Sequence, residues 1–416
     1  TSMLHDLDTS SSRRTFLKLT AASATLAACS AEHGNRGKHV AVVGGGIIGA
    51  SIAYHLAGQG VKVTLLERHG LAARASRGTF AWINATWAKQ PRHYHAFNQA
   101  GLAGWKRLQS DLDMPVRWGG SLEWFPAEAR QARLAKQIAE QVTWGEPAEM
   151  VGPDVLRQLE PNVDFGVVER VAYSPNDGAV DPVLATRLLA GAAQRAGATV
   201  RENCSVEGVS AIGDETVTLH TTCGDINVDS YVLATGADPA ATGRLAGLAI
   251  PQRTTPGVIV VTKPMDRLIN RIIVAPGVHI HQRNDGRIVL GEQGGAPDTT
   301  AHQERLHDRP TRFPDAAIAA QHAGRILGQS AKFVPGIGAA VVEDVIIGWR
   351  PLPIDGHPVL GRSPERPACY LAIMHSGVSL APVVGDLVAR EIALGRQAPG
   401  LEGYRPDRSF QEVARY

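Results

Sequence analysis

Three glycines and one acid carry the clearest chemistry in the chain. Gly44, Gly46 and Gly49 stand in G-x-G-x-x-G spacing within residues 38–68, KHVAVVGGGIIGASIAYHLAGQGVKVTLLER, and Glu67 follows eighteen residues after Gly49. Each position has a physical use. Gly44 permits a tight turn, Gly46 presents no side chain to hold a pyrophosphate off the backbone, and Gly49 lets a helix lie close on a strand. The N-terminus of that helix offers unpaired N–H groups and a partial positive charge to phosphates. Glu67 ends the second strand, where a carboxylate accepts both ribose hydroxyls. It favours a free 2′-hydroxyl and disfavours NADP without separating NAD from FAD. The alternative is a tight turn between strand and helix with no ligand, and the full context of strand, turn, helix and distal acid argues against it.

A second chemical stretch lies near the other end. His375-Ser376-Gly377-Val378-Ser379-Leu380-Ala381-Pro382 opens a last helix, with a Pro expected in its first turn. Free amides there can stabilise a negative charge. His375, by residue type and loop position, is a candidate for tuning a cofactor or substrate. His279 and His281 share one face of a strand, but no third ligand sits at a telling distance, so solvated or core-satisfied histidines are expected and no metal site.

These stretches need elements to position them. Runs of β-branched residues predict strands at 40–43 and 61–66 around a helix from 47 to about 56, a unit that calls for a parallel α/β sheet. The small residues of Ala75-Ser76-Arg77-Gly78-Thr79-Phe80 suit a loop crossing close to a cofactor. Residues 98–112 carry Leu102, Trp105, Leu108 and Leu112 on one helical stripe, expected in the core. Two short strands flank Gly119-Gly120, residues 127–142 form an amphipathic helix, Asp177-Gly178 is a turn, and Asp181-Pro182 caps a helix to residue 196. A meander covers 206–228, and residues 230–237, SYVLATGA, form a buried strand entering a Gly turn. Further strands are expected at 257–263, 278–282, 287–292, 338–349 and 369–373, with Asn284-Asp285-Gly286 a hairpin turn and 314–327 a helix.

The chain has 416 residues, too long for one small core, so two interleaved domains are expected. A net charge of +2 gives no sign of a nucleic-acid partner, and no run of apolar residues is long enough for an ordinary membrane span. Ser12-Arg13-Arg14-Thr15-Phe16-Leu17-Lys18 matches a twin-arginine export motif, with a short Ala/Thr-rich apolar stretch after it. Leu26-Ala27-Ala28-Cys29 resembles a lipobox in which Cys29 would be lipidated; ordinary cleavage near Ala28 is the alternative. Export in the folded state agrees with a cofactor captured before departure, which favours tightly held FAD over a diffusible nicotinamide. Among the other cysteines, Cys204 and Cys223 flank the meander and are placed for a disulfide, with buried free thiols as the alternative.

Taken in order, GGGIIGAS with Glu67, ASRGT, DGAVDP, VLATGA, GWRPLPIDGHPVLG and HSGVSLAP make the chain resemble the D-amino-acid oxidase superfamily of FAD-dependent amine and amino-acid oxidoreductases, whose members include glycine oxidase, sarcosine oxidase and bacterial D-amino-acid dehydrogenases. The resemblance implies a Rossmann-type FAD domain of the glutathione-reductase kind from residues 38–88, 170–250 and 340–400. An α+β substrate domain on a mixed sheet would come from 89–169 and 251–339, behind a signal segment at 1–29. By the same resemblance, Gly44, Gly46, Ile48, Gly49, Glu67, Arg68, Ser76, Gly78, Val206, Thr235 and Gly236 line the FAD, and Gly377, Val378, Ser379 and Leu380 sit near the flavin pyrimidine edge. Arg350 takes the position that holds a substrate carboxylate, for which a planar guanidinium is suited. The family loop often reads Gly-His-Gly where this chain has His375-Ser376-Gly377, and no cysteine is obviously placed for a covalent flavin link, so noncovalent FAD is expected.

The expected reaction is oxidation of the C–N bond of an amino acid or secondary amine, with O₂, a quinone or another redox partner taking the electrons, in the periplasm or cell envelope. Any membrane contact would be through a lipid on Cys29. The competing readings are a nicotinamide-dependent dehydrogenase and a non-catalytic flavin-binding envelope protein.

Overall fold

The computed structural model describes residues 37–86, 89–212, 216–292 and 306–414. The export motif and Cys29 lie outside the described residues.

The buried β-branched runs build a six-stranded sheet in the order Val359–Arg362, Cys369–Ile373, Ser230–Leu233, His39–Val43, Lys62–Leu66, Thr199–Arg201. All neighbours are parallel except the first pair. The Gly motif thus leaves the central strand. The first helix, Ile47–Gly58, packs on one face with helix Pro182–Arg195 and the last helix, Gly377–Leu394, in one apolar core. Asp181 caps Pro182–Arg195 as expected, accepting from the Val183 and Leu184 amides. A three-stranded meander, Val206–Ile212, Thr216–Thr221 and Ile226–Val228, covers the other face in a second core. Cys204 and Cys223 are disulfide-bonded across its base, and Cys369 is buried and free.

A second, eight-stranded sheet runs Val342–Pro353, Gln252–Thr262, Ile288–Glu292, Val278–Gln282, Ile272–Ala275, Ser121–Glu123, Val171–Ser174, Glu149–Val151. It is antiparallel except for Ile272–Ala275 beside Ser121–Glu123, and is therefore mixed. Helix Ala316–Ala331 covers it. Helix Arg92–Leu112, six residues longer at its start than the apolar stripe predicted, belongs to the core of the parallel sheet, where Leu102, Trp105 and Leu108 are buried.

Pro382 stands in the second turn of the last helix, not the first, because that helix begins at Gly377 after left-handed Ser376. A proline there withholds the N–H that would reach back four residues to the Val378 carbonyl. The fully buried Trp105 indole supplies the missing donor, Nε1 to Val378 O at 2.7 Å. Helix Arg92–Leu112 can come that close because a Cβ at Gly101 would sit 2.2 Å from Ser379 O, and one at Gly104 2.4 Å from Pro382 Cβ.

Candidate active site

The Gly motif, the 75–80 loop, the 234–238 turn, strand Val342–Pro353 and the start of the last helix enclose one cavity of about 850 Å³. Ligand pockets run roughly 300–1,000 Å³. Every sequence-predicted cofactor residue lines it except Gly49 and Leu380, and Arg350 and His375 line it too. Gly49 lies behind the wall, where a Cβ would meet Gly44 O at 1.8 Å, so its work is helix-on-strand packing. Leu380, expected near the flavin pyrimidine edge, does not line the cavity either. Its side chain is fully buried in the apolar core, and its amide is spent on Ser376 O at 3.1 Å, so neither end reaches the cavity.

At the nucleotide end, Glu67 is nearly buried and holds the turn: Oε2 accepts from the Gly45 amide at 2.7 Å and Oε1 from the His69 amide at 2.8 Å. A carboxylate oxygen has lone pairs to spare for hydroxyls beyond these. Ser76 Oγ accepts from the Ile47 amide at 2.9 Å. The Gly46 and Ile48 amides bond to none of the described residues. Gly44 has φ +115°, and a Cβ there would fall 2.3 Å from Ala234 O, so only glycine lets the motif touch the 234–238 turn. Arg68 pairs with Asp238 at 2.7 Å at the edge of the same end. The helix N-terminus, the bare backbone at Gly46 and the acid beyond fit the diphosphate and ribose of a dinucleotide.

At the far end, the Gly377, Val378 and Ser379 amides begin the last helix and have no backbone acceptor among the described residues. The Ser379 hydroxyl locks this turn to residues 82–84, donating to Trp82 O and accepting from the Asn84 amide, both at 3.1 Å. Arg350 opposes Thr255 in the long strand pair, and its guanidinium lies over Gly257, where a Cβ would come 2.5 Å from Nη2. Nη1 donates to Pro256 O at 3.3 Å. His375 is pushed down to about 3 by burial and then by the Lys89 and Arg350 charges, so it is a neutral imidazole at ordinary pH. His279 is likewise pushed down to about 4 by burial, then by Arg350 and Arg130, and it stands in the cavity wall against Phe80 and Trp82.

Two buried residues, Lys89 in the cavity wall and Asp177 behind it, carried no local sequence signal. Lys89, 6% exposed, donates from Nζ to Ser376 Oγ at 2.6 Å and lies 5.5 Å from the Tyr94 ring. Asp177, expected only as a turn residue, is fully buried and accepts from Ser121 Oγ at 2.7 Å and Trp82 Nε1 at 2.9 Å. Burial pushes it up to about 8. No group of three His, Cys, Asp or Glu among the described residues is placed to hold a metal ion, and no helix among them is long and apolar enough to cross a membrane.

Residues 39–391 match the family described as DAO, FAD dependent oxidoreductase. The chain belongs to this family. Family membership makes FAD the dinucleotide of the cavity and sets aside a nicotinamide-dependent dehydrogenase. Among curated relatives, the chain is similar to glycine oxidase of Geobacillus kaustophilus (strain HTA426), 27% identical over 364 residues covering 84% of this chain and 91% of that protein. It is also similar to glycine oxidase of Bacillus licheniformis, 26% identical over 379 residues, 88% and 96%. In fold it resembles the crystal structure of glycine oxidase from Geobacillus kaustophilus, with TM-score 0.77, 24% identity and coverage of 90% of this chain and all of that one. L-proline dehydrogenase from P. horikoshii shares the fold at TM-score 0.76, 24% identity, 89% and 96%.

Proposed function

We propose that this FAD-dependent oxidoreductase oxidises the C–N bond of an amino acid or secondary amine. The reading is carried by one cavity that holds the nucleotide motif at one end and Arg350 at the other. The relatives named glycine oxidase and 4-methylaminobutanoate oxidase, which act on amines bearing a carboxylate, support it.

FAD bound there supplies a hydride acceptor. The chain's own residues do the placing. The Arg350 fork binds the substrate carboxylate. The buried aromatic and histidine wall excludes water and favours the neutral amine from which a hydride can leave. The Gly377–Ser379 amides face developing negative charge. His375, uncharged, acts as a hydrogen-bonding group and not as a proton donor of the imidazolium kind. The imine product then hydrolyses in water. O₂, a quinone or a protein redox partner accepts the electrons.

FAD is held noncovalently in this reading. It is supported by the cavity wall, where the sole cysteine among the described residues is Cys204, already committed to its disulfide. The protein is carried folded to the periplasm or envelope by the Ser12–Lys18 motif, with Cys29 as its lipid anchor. A disulfide between Cys204 and Cys223 is supporting, since such bonds persist in oxidising compartments.

The test is an anaerobic screen of purified yellow protein against D- and L-amino acids, glycine, N-methylated amino acids and opines. Bleaching by any of them supports the proposal. Inertness to the whole panel would favour a flavin-binding protein without this catalysis.

A further inference from the structure

The disulfide of the meander reaches into the nucleotide end of the cavity. Cys204, 2% exposed, stands in the cavity wall with Ser205 and Val206, whereas Cys223 lies in an exposed turn. The bond thus joins a residue beside the cofactor site to one within reach of solvent. Cys204 also braces Glu67. Strand Lys62–Leu66 pairs with Thr199–Arg201, and the pairing continues as Glu67 N to Arg201 O at 2.9 Å. Asn203, left-handed at φ +55°, makes the corner and donates its amide to His69 O at 2.8 Å. The Cys204 amide then donates to Glu67 O at 2.8 Å. On the other side, Ser205 and Thr222 exchange two bonds, Ser205 N to Thr222 Oγ1 at 2.9 Å and Thr222 N to Ser205 O at 3.0 Å. The acid that holds the Gly45 amide is therefore tied through Cys204 to a surface turn, and the disulfide is the covalent part of that tie.

Hydrogen bonds at the rim of a small meander open locally, and a covalent bond across them suppresses the opening. Resting on the noncovalent-FAD reading above, we propose that Cys204–Cys223 is a thiol-exchange site that controls the release of FAD, with a dithiol as its reactant. A thiolate of the dithiol attacks Sγ of Cys223, on the exposed side. The S–S bond breaks, and Cys204 leaves as a thiolate that takes up a proton. The second thiolate of the reactant then displaces Cys223 from the mixed disulfide. Two electrons pass from the dithiol to the two cysteines, and the reactant departs as a disulfide. The wall at 204–206 is then held by hydrogen bonds alone, and the adenosine half of the cavity opens more often. Exchange with an oxidised dithiol reverses the step. A chain that folds around FAD in a reducing compartment gains a firmer hold on it in an oxidising one.

The test dilutes the holoprotein in the dark, with and without dithiothreitol, and follows FAD release by the rise of flavin fluorescence. Release should be about 10- to 100-fold faster after reduction, a part of the constraint that a disulfide across a separation of 19 residues places on an opened chain. The far-ultraviolet circular dichroism should stay unchanged, and oxidised dithiothreitol should restore slow release. Cys223→Ser should release FAD fast with or without the reductant. Equal rates in the two redox states of the native chain overturn the proposal, a result that needs no variant to fold. Failure of dithiothreitol to open the bond in the folded protein, read by thiol labelling, overturns it too. So does flavin lost only together with the circular dichroism signal, which would make the bond a brace of the whole domain. Acid precipitation separates this proposal from the reading beneath it. Flavin that stays with the precipitated polypeptide is covalent and overturns both, whereas flavin freed by acid but released at redox-independent rates overturns the exchange site alone.

Discussion

Arg350 and Glu67 hold opposite ends of one cavity with opposite charges, and each is set by its backbone neighbours. Arg350 has its place because Gly257 has no side chain. Arg350→Lys keeps the charge and loses the planar fork, so affinity for a carboxylate substrate should fall about 10- to 100-fold, read as the dissociation constant in anaerobic reduction. His375 is held neutral by burial and by the Lys89 and Arg350 charges, so it has no titration to contribute across pH 5–9. His375→Asn should therefore change the limiting rate but leave the shape of the pH profile intact, and a vanished inflection would contradict this. At this scale the sequence was legible where function is local. The glycines and Glu67 sit within one strand–helix–strand unit and line up as their spacing predicts. Leu380 lies apart from its three predecessors because its amide is the first of the helix to find an acceptor, Ser376 O. Lys89 and Asp177 were invisible for another reason: their roles come from neighbours distant in sequence, such as Ser376 and Trp82.

Helix packing decides where the ring end of the cavity lies. Trp105 closes the carbonyl that Pro382 leaves open, so the first turns of the last helix are fixed by a residue of another helix. Trp105→Phe strands a buried acceptor and should lower stability by about 1–3 kcal/mol, measured as a denaturant midpoint shift with unchanged m-value. Gly101→Val should act differently. Its branched side chain would be driven into the Ser379 carbonyl and displace the cavity wall, so the expected outcome is protein purified with less than half its flavin. Periodicity announced helix Arg92–Leu112 but not its starting point, because Pro91 begins it outside the apolar stripe.

At the scale of the whole molecule, the C-terminal segment returns to brace the last helix. Arg405 forms a bidentate pair with buried Glu391, which also takes the Tyr370 hydroxyl and the Ala398 amide. Burial by itself would raise Glu391, but those donors outweigh it and hold the carboxyl below its usual range. The sign follows from linkage. A lowered carboxyl contributes stability that is complete above the ordinary glutamate value and drains away as pH falls through the lowered one. Arg405→Ala should cost about 3 kcal/mol near neutrality, and its deficit relative to the native chain should shrink on acidification, as thermal melts across pH 3–7 would show. The two-sheet architecture was readable from strand and turn signals together with the family resemblance. The assignment of helix Arg92–Leu112 to the core of the parallel sheet was not, since which of two cores an apolar stripe enters depends on shape and not on hydrophobicity.

The cavity is closed by helices Ile47–Gly58 and Gly377–Leu394 meeting. Ser51 on the first helix bonds Ala381 on the last at 2.7 Å across a separation of 330 residues, with Gly385 cleared to admit the contact. While the polypeptide is still emerging from the ribosome, the phosphate cradle has been made and the ring's seat has not. FAD can therefore be locked in only after helix Gly377–Leu394 has been made, and a truncated chain ending before residue 374 should leave the ribosome unable to retain it.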